Sequence, residues 1–344
     1  MRIAIDGMGG DHAPDEIVQG AIDAATQTPD AKLLLVGQKD RLNRPNLPSN
    51  LEIIHASEVV EMKEEPVKAL RSKRHSSLRV SMTLVKEGEA DAVISAGNTG
   101  AMVAGALFPL FGLGNLEGVK RPGITIPMPV QGGTCAMIDV GANPNAKPVH
   151  LVQYAVMGSV YIKYLNPAIR LPRVGILNIG EESKKGTDLQ REAYAYLDKA
   201  RLNFEFVGNI EPHDLFSGRA DVVVSDGFSG NLALKTAEGV KDFIVRQLSS
   251  NGFSQNIDVQ KALSYATERM DHSEHGGAPI LGVKGIVIKC HGRSKARAIT
   301  NAVKLTAGFI KGRLNDHIVE ELRKLSRSSG TWYSKWFSWS KEDE

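Results

Sequence analysis

The sequence has few of the features that mark secreted or membrane-spanning proteins. It contains only 2 cysteines, Cys135 and Cys290, and each stands at one end of a predicted buried strand, which argues against disulfides and favours a reducing compartment. Either could be a nucleophile, but a small buried hydrophobe is the more ordinary role. No apolar run reaches the ~18 residues of a spanning helix, and the N-terminus lacks the apolar segment of a signal peptide. We therefore expect a cytoplasmic protein that at most touches a membrane peripherally.

Aromatic residues and strong net charge are also scarce. Aromatic residues make up only 6% of the chain, and no aromatic-rich nucleic-acid module is recognisable, so nucleic acid ranks last among possible partners. The net charge is +3, but residues 284–327 hold eleven lysines and arginines against three acids, Asp316, Glu320 and Glu321. Such a stretch can attract an acidic protein or an anionic membrane, or it can be the solvated side of helices.

What the sequence does contain is one pattern repeated six times: a short apolar run, a polar loop that usually contains glycine, and a helix. The apolar runs are rich in β-branched residues and too short for helices, so they predict buried strands at residues 1–5, 91–95, 135–140, 174–179, 221–225 and 285–290. Alternating strands and helices predict an α/β protein with a mostly parallel sheet, in which ligands bind at the carboxyl ends of the strands. We therefore expect the six polar loops to lie along one rim.

The segment at residues 173–188, RVGILNIGEESKKGTD, predicts an anion site. A buried strand runs into a glycine-containing loop, and Thr187 or Asp188 can cap the helix predicted at 189–199. Backbone N–H groups and the helix dipole then point at one spot, where Lys184 and Lys185 add positive charge. The alternative is an ordinary turn with a solvated charge run.

Further segments lie outside the repeat. Residues 64–86 predict one long helix with Ser76 and Ser77 in its polar middle. Residues 231–272 predict a helical hairpin inserted between two strands of the sheet. Phe253 in its connecting loop and Ile257 just beyond are apolar groups near a projecting tip, which suits contact with a membrane or a partner as well as packing within the hairpin.

The C-terminal tail differs in kind from the rest of the chain, because it holds all 3 tryptophans. Trp332, Trp336 and Trp339 recur at i, i+4 and i+7, so they share one face of a helix. Such a face suits a bilayer interface, with packing on a second subunit and disorder as alternatives. We accordingly divide the chain into one α/β domain, residues 1–330, and a tail, residues 331–344.

Eight short strings, taken in order, resemble the phosphate acyltransferases of bacterial phospholipid synthesis, the PlsX family. They are DGMGGDHAP (6–14), SAGNTGA (95–101), DVGAN (139–143), NIGEESKKG (178–186), GNIE (208–211), DGFSGN (226–231), GGAPILG (276–282) and HGRS (291–294). The resemblance runs from residue 1 to about residue 312. His275 departs from it, since an aromatic residue such as tyrosine is expected there, and the tail lies outside it.

The resemblance implies a fold, a reaction and partners. The fold is a three-layer α/β/α sandwich of the isopropylmalate-dehydrogenase-like kind. The reaction converts acyl-[acyl carrier protein] and inorganic phosphate to acyl phosphate and free carrier, and we expect no cofactor and no metal site. The resemblance also implies a homodimer, peripheral membrane association through the helical hairpin, and a glycerol-3-phosphate acyltransferase that accepts the product. The acidic carrier protein would then dock on the basic residues within 284–327.

This chemistry limits what the site must supply. Phosphate dianion is already nucleophilic and a thiolate leaves readily, so the site must mainly bring the reactants together and stabilise an oxyanion. We assign phosphate binding to Lys184, Lys185 and the helix start after Gly186. A second anion or oxyanion site is assigned to Gly97, Asn98, Thr99 and Gly100, with further contacts from Asn143, Asn231, His291 and Arg293. Asp6, Asp139 and Asp226 are expected to orient donors rather than react.

Two other functions remain open from the sequence alone. An NAD- and magnesium-dependent hydroxyacid dehydrogenase shares the fold class and could use strand-end aspartates as ligands, although no G-x-G-x-x-G follows the first strand. A non-catalytic scaffold that docks the carrier protein at a membrane would use the hairpin tip and the tryptophan tail. It would leave the polar loops without a purpose.

Overall fold

The computed structural model describes residues 1–250, 257–261 and 276–328 of the chain. Within these residues the strands are β1 (Arg2–Asp6), β2 (Lys32–Gly37), β3 (Leu51–His55), β4 (Ala92–Ser95), β5 (Gly123–Val130), β6 (Gly133–Ile138), β7 (Arg173–Leu177), β8 (Glu205–Ile210), β9 (Val222–Val224), β10 (Ala278–Leu281) and β11 (Ile286–Lys289). The helices are α1 (Asp15–Gln27), α2 (Lys39–Leu42), α3 (Pro66–Ser72), α4 (Ser77–Lys86), α5 (Thr99–Leu107), α6 (Pro148–Leu165), α7 (Asp188–Leu197), α8 (Gly227–Ser250), α9 (Ala296–Lys311) and α10 (Leu314–Ser328), together with a 3₁₀ helix (Pro212–Phe216). Residues 257–261 are helical as well.

The strands form one sheet whose two faces are both covered by helices. Neighbouring residues of β4 show the alternation: Ile94 packs into a core with α1, α6, α9 and α10, and Val93 packs into another with α3, α4 and α5. The α6 helix is buried along most of its length, as expected for a helix that is apolar all round. The predicted three-layer α/β/α sandwich is therefore confirmed.

The strand order among the described residues is β3-β2-β1-β4-β11-β10-β5-β6-β9-β7-β8. Most neighbouring strands are parallel, as predicted. Three successive pairings, β11 with β10, β10 with β5, and β5 with β6, are antiparallel. They reverse the strand direction, so β6, β9, β7 and β8 run opposite to β1, β4 and β11. The prediction of a single rim is wrong for this reason, and the polar loops fall into two groups.

The predicted helix at residues 64–86 is two helices, α3 and α4. Ser76 is the extended N-cap residue of α4, and the N–H of Ser77 donates to the carbonyl of Glu58 at 3.0 Å. The break buries both serines, and the Ser77 hydroxyl reaches the Asp6 carboxylate. A continuous helix would have pointed these polar side chains elsewhere.

The first helix of the predicted hairpin is longer than expected, because α8 already begins at Gly227. Of the second helix only residues 257–261 are described, and there Ile257 is 65% exposed. Phe253, His275 and the three tryptophans lie outside the described residues. Within the described ranges, no helix combines the length and the apolar character that crossing a bilayer requires.

Candidate active site

The loops that follow β1, β4 and β11 pack against one another. The N–H of Asp11 donates to the Gly292 carbonyl at 2.7 Å, which joins the first of these loops to the last. The loops after β1 and β4 touch at Gly9, where an added methyl group would fall 2.8 Å from the Gly97 nitrogen. We call residues 6–14, 95–100 and 291–294 the first loop cluster.

Asp6 ties this cluster together from the sheet. Its carboxylate is 2% exposed and accepts the Ser95 hydroxyl at 2.7 Å and the Met8 N–H at 3.2 Å. Burial raises the pKa of Asp6, and hydrogen bonds, first of all from Ser77, act in the opposite direction. Asp6 thus orients the loops, which is the role expected of it.

Asn98 caps α5 and holds a neighbouring segment in place. Its Oδ1 accepts the Ala101 N–H at 3.0 Å, and its amide nitrogen donates to three carbonyls of residues 61–64 at 3.0–3.3 Å. These bonds occupy the amide hydrogens, so the side chain is not the oxyanion donor assigned from the sequence. The exposed Thr99 and Gly100 instead offer the backbone N–H groups of the first helical turn, which have no acceptor within a helix.

His291 and Arg293 lie in the loop after β11. The N–H of Arg293 donates to His291 Nδ1 at 3.1 Å, which leaves Nε2 as the protonated, donating nitrogen. Partial desolvation of the ring lowers the pKa of His291, and the charge of Lys289 lowers it further, so the ring is neutral at neutral pH. The exposed Arg293 guanidinium has no acid partner in the part of the chain that the structure describes.

Lys289 is a further candidate, and it lies outside the motifs of the sequence. Its side chain is 8% exposed, and its Nζ donates to the Cys290 carbonyl. Burial lowers the pKa of Lys289 to about 8, while the charges of Asp11 and Asp6 act to raise it. An amine with such a pKa beside polar loops is typical of functional sites. The signal that could have revealed it is a lysine inside the otherwise apolar run GIVIKC.

The two cysteines are not nucleophiles in this fold. Both thiols are free and buried, and burial raises the pKa of Cys135 and of Cys290 to about 12. Because the thiolate is the reactive form, neither group is ionised near neutral pH. Their role is that of small buried apolar residues.

The loops after β6, β7 and β9 form a second group. Gly227 N–H donates to the Asn143 carbonyl at 2.9 Å, which joins the loops after β9 and β6. Asn178, Gly186 and Ser229 line one cavity, which brings the loop after β7 to the same place. We call residues 139–143, 178–187 and 226–231 the second loop cluster.

Asp139 anchors the second loop cluster. It is fully buried and accepts four backbone N–H groups at 2.7–3.1 Å, those of Ile124, Gly141, Ala142 and Asn143. The Asn143 amide donates to Tyr154 Oη at 2.9 Å and to the Pro122 carbonyl at 2.5 Å. Since its donors are occupied, Asn143 is a positioning residue and not the substrate contact assigned from the sequence.

Asp226 and Asn231 flank the first turn of α8. Asp226 Oδ1 accepts the N–H groups of Phe228 and Ser229 at 3.0 and 2.9 Å, so it caps the helix. Asn231 is exposed, and its amide has no partner in the described ranges. Of the two asparagines assigned here, only Asn231 can therefore offer its side chain to a ligand.

The predicted anion loop is held in shape from within. Asn178 Nδ2 donates to the Lys185 carbonyl at 3.1 Å. Gly186 has a φ of +84° and packs so tightly on Asn178 that a methyl group would fall 2.5 Å from its Oδ1, which only glycine allows. Thr187 or Asp188 was predicted to cap α7. In the structure Thr187 is the cap, and it forms a capping box with Gln190.

The charges of this loop are unevenly paired. Lys185 lies 3.9 Å from Glu182, and Arg219 forms an ion pair with Glu181. Lys184 is exposed and has no acid partner among the described residues. The loop therefore presents one uncompensated cation beside the N-terminus of α7.

The α8 helix brings the two loop clusters towards each other. It begins at Gly227 in the second cluster, and Lys235 lies eight residues on, about 12 Å along the axis. The charges of Lys235 and Glu238 both act on the pKa of His291, so this part of α8 lies within electrostatic range of the first cluster. The N-terminal half of α8 thus runs from the second cluster into electrostatic range of the first, although the strands of the two clusters run in opposite directions.

Comparison with known proteins places these loops in a family. A sequence profile described as "Fatty acid synthesis protein" matches residues 1–316. The phosphate acyltransferase of Thermoanaerobacter pseudethanolicus is 42% identical over 333 residues, covering 94% of this chain and 98% of the relative. That of Halothermothrix orenii is 44% identical over 336 residues, covering 94% and 99%.

Solved structures share the fold at much lower identity. A phosphotransacetylase from Streptococcus pyogenes superposes with a TM-score of 0.58 at 16% identity, covering 90% of this chain and 94% of that one. This likeness shows the fold alone. The family profile and the full-length relatives go further, and they decide against the dehydrogenase and scaffold alternatives: the chain belongs to the phosphate acyltransferase family of fatty acid synthesis proteins and is an acyltransferase.

Proposed function

We propose that this chain transfers the acyl group of acyl-[acyl carrier protein] to inorganic phosphate. A phosphate oxygen attacks the thioester carbonyl carbon, the carbon–sulfur bond breaks, and the carrier leaves as a thiolate that takes a proton from solvent. The products are acyl phosphate and free carrier. The names of the relatives support phosphate as the acceptor.

One observation carries the proposal: the loop clusters offer anion-binding groups while the carboxylates at three strand ends are occupied. Asp6, Asp139 and Asp226 all accept hydrogen bonds from within the loops. Lys184 and Arg293 are exposed cations without an acid partner in the described ranges. Such a site can bind phosphate and stabilise an oxyanion without a strong base, which is what acyl transfer to phosphate requires.

The two clusters divide the work in this proposal. Lys184, Lys185 and the backbone N–H groups at the start of α7 after Gly186 bind phosphate, because the helix dipole favours an anion there. The N–H groups of Thr99 and Gly100 and the Nε2–H of His291 stabilise the oxyanion that forms on the thioester carbonyl.

Arg293 and Asn231 complete the proposed site from its two sides. The Arg293 guanidinium can pair with a phosphate oxygen in bidentate fashion. The Asn231 amide can hydrogen-bond either the phosphate or the thioester from the second cluster. Gly97 packs against Gly9 and donates its N–H to Ser95 Oγ at 2.9 Å, so we give it a positioning role and not the donor role expected from the sequence.

The carrier protein is proposed to dock on a smaller basic surface than the sequence count suggests. Lys289 is buried and cannot contribute to this surface. Four more basic residues pair with acids and are therefore left out of it: Lys311, Arg313, Arg323 and Lys324. Arg293, within the first loop cluster, and Lys295, directly after it, stay exposed. We therefore expect carrier affinity to fall steeply with added salt and to depend on these two residues; a salt-independent affinity would remove the idea.

Three further properties are proposed on the same basis. The protein is a homodimer, its hairpin touches the membrane peripherally, and a glycerol-3-phosphate acyltransferase of phospholipid synthesis consumes the product. The exposed Ile257 is the described part of the apolar tip. Ile257→Asp should weaken sedimentation with phospholipid vesicles, and unchanged sedimentation would count against membrane contact by this tip.

The experiment that tests the reaction is a single-turnover assay with purified acyl-[acyl carrier protein], with and without phosphate. Hydroxylamine trapping scores acyl phosphate, and gel mobility scores free carrier. Phosphate-dependent appearance of both products supports the proposal. Release of carrier without a trappable product, or no dependence on phosphate, contradicts it.

A further inference from the structure

A basic surface lies on and around α3, beside the first loop cluster. Four of its cations are exposed and have no acid partner in the part of the chain that the structure describes: Lys63, Lys68, Arg71 and Arg74. Lys68 and Arg71 are three residues apart on α3, so they lie on the same side of the helix. We call these four residues the α3 basic surface.

The acids of the same stretch do not neutralise this surface. Residues 61–74 hold five lysines and arginines against three acids. Glu64 pairs with Lys73 at 2.6 Å, and Glu65 accepts two backbone N–H groups of the first turn of α3. Glu61 is the remaining acid. The exposed side of α3 therefore keeps a net positive charge.

The α3 helix is fixed by its other side. Ala69 and Leu70 are buried and pack into the core that α3 shares with α4 and α5. The chain leading into α3 is fixed as well, because Asn98 at the start of α5 donates to three carbonyls of residues 61–64. The cations are thus presented by a rigid element and not by a loose loop.

The α3 basic surface adjoins the loop that carries Arg293. Met62 touches this loop, because a methyl group on Gly292 would fall 2.9 Å from Met62 Cε. Lys63 and Arg293 are the residues that directly follow the two contacting ones. The two basic regions therefore meet at this contact, with the start of α5 beside it.

The spread and the composition of this surface limit what can bind there. The α3 helix has 7 residues, about 10 Å of axis, and cations flank it on both sides, so one small anion could meet only part of the surface. Every exposed side chain from residue 63 to residue 74 is polar. A peripheral membrane site would also offer apolar side chains for insertion. Complementary charge spread over the surface of an acidic protein fits better.

We propose that the α3 basic surface is a docking site for the acidic carrier protein. This inference rests on the proposed function, in which the carrier is the acyl donor. A carrier docked on α3 delivers its thioester to Thr99 and Gly100 at the neighbouring start of α5. The carrier surface then extends from Arg293 and Lys295 across the contact at Met62 to α3. Since its cations are exposed, the surface acts mainly on the association rate and on salt dependence.

Reversing two charges of α3 tests this docking site. Lys68→Glu combined with Arg71→Glu keeps good helix formers in place. At low salt it should weaken binding of purified acyl-[acyl carrier protein] to the full-length protein about tenfold or more, because two attractions become repulsions. Calorimetry without phosphate measures the affinity, and stopped-flow mixing should place most of the loss in the association rate. At about 0.5 M salt the difference from the wild type should largely disappear.

A matched control changes the net charge equally at another place. Lys199→Glu combined with Arg201→Glu reverses two exposed cations beyond the end of α7 and should leave carrier affinity within about twofold of the wild type. Lys68→Gln combined with Arg71→Gln removes the α3 charges without reversing them. It should give a smaller loss in the same direction, and it replaces the reversed variant if that protein does not fold.

Three outcomes would overturn the proposal. The first is an unchanged carrier affinity in the α3 variants, and the second is an equal loss in the α7 control. The third concerns other anionic partners, for which phosphatidylglycerol vesicles and a short DNA duplex are the probes. If the α3 variants lose binding to either probe and keep their carrier affinity, the surface serves that partner instead.

Turnover separates this inference from the proposed reaction. In the acyl phosphate assay the reversed α3 variant should raise the KM for the carrier about tenfold. An enzyme that makes acyl phosphate with an unchanged KM in this variant keeps its function and loses the docking site. A chain whose carrier binding depends on Lys68 and Arg71 but which makes no acyl phosphate keeps the docking site and loses the reaction.

Discussion

Gly9 and Gly97 lie against each other in the loops after β1 and β4, so closely that a methyl group on Gly9 would fall 2.8 Å from the Gly97 nitrogen and 2.5 Å from Asp6 Oδ2. Neither atom can move freely, because the Gly97 N–H is hydrogen-bonded to Ser95 Oγ and Asp6 is buried beneath both loops. The contact therefore fixes the distance between the first two loops of the first loop cluster. Their spacing in turn positions the start of α5.

Gly9→Ala should disturb this contact. We expect a loss of about 1–3 kcal/mol in the free energy of unfolding, the usual cost of overpacking, with a larger loss of turnover because the loops separate. Gly133→Ala is the matched control, since no atom lies within 4 Å of a methyl group there. Urea denaturation and the single-turnover assay measure both effects. Equal stability and activity in the two variants would show that the loops do not need this contact.

Replacing both Lys184 and Lys185 by alanine should weaken phosphate binding. A charge-assisted hydrogen bond is worth about 1.5–3 kcal/mol, so the KM for phosphate should rise about 10- to 100-fold, with little change in carrier affinity. Lys199→Ala, an exposed lysine beyond the end of α7, is the control. An unchanged phosphate dependence in the double variant would refute the phosphate assignment.

The charge state of His291 can be read from pH dependence. Its pKa lies below the ordinary value of 6.5 because of partial desolvation and the charge of Lys289, so it donates through Nε2 as a neutral ring above pH 6.5. His291→Ala should lower turnover by about 10²-fold, the usual cost of removing an oxyanion donor, and His291→Gln should restore part of it. The shape of the pH profile above pH 6.5 should be the same in all three proteins.

The tautomer of His291 gives an independent check of this donor role. Long-range ¹⁵N–¹H spectra should show a proton on Nε2, with the signal assigned through its loss in His291→Gln. The same lowered pKa has a consequence for stability: as pH falls below 6.5 the unfolded chain takes up this proton first, so the folded state loses stability there. A protonated Nδ1 at neutral pH would contradict the assignment.

Lys289 should make the folded state less stable at neutral pH than an apolar side chain would. Its pKa falls from 10.5 to about 8 on burial, which corresponds to a cost of roughly 3 kcal/mol. Below pH 8 both states hold the proton and the whole cost is present. Between pH 8 and 10.5 only the unfolded chain holds it, so stability rises with pH through this window.

Lys289→Met should therefore have a higher free energy of unfolding than the wild type at neutral pH. This difference should shrink as pH rises towards 10.5, to the constant value that the change in packing leaves. Urea denaturation of both proteins across this range measures the gap. Lys304→Met, which changes an exposed lysine on α9, should show no such trend. Parallel stability curves for the wild type and Lys289→Met would mean that Lys289 is not desolvated as the structure indicates.

Much of the fold could be predicted because it depends on short local patterns. The runs at 91–95, 174–179 and 285–290 became β4, β7 and β11 within one or two residues, since β-branched residues between glycine loops favour buried strands. The strands β5 and β10 were missed. Pro127 and Pro129 interrupt β5, and Pro279 lies in β10, and proline within an apolar run argues against a strand in the interior of a sheet.

The site was predicted at the level of loops and only partly at the level of side chains. Lys184, His291 and Arg293 lie exposed in the loops that the motifs marked. Asn98 and Asn143 lie there too, but their amides are occupied by carbonyls of residues 61–64 and by Pro122. Those partners are distant in sequence, so the spacing of residues along the chain does not predict them. Whether an amide faces a ligand or its own fold is decided by contacts that only folding makes.

The sequence by itself determined that this chain is an α/β protein with glycine-rich loops at its strand ends, because hydrophobic period and loop composition act over a few residues. Only the tertiary structure decided that β6, β7 and β9 run opposite to β1, β4 and β11. It also decided that Lys289 is buried within electrostatic range of Asp6 and Asp11, and that a groove runs along α8 from the second loop cluster. Strand direction, burial and cavities arise from pairing and packing between distant segments, and no local pattern specifies them.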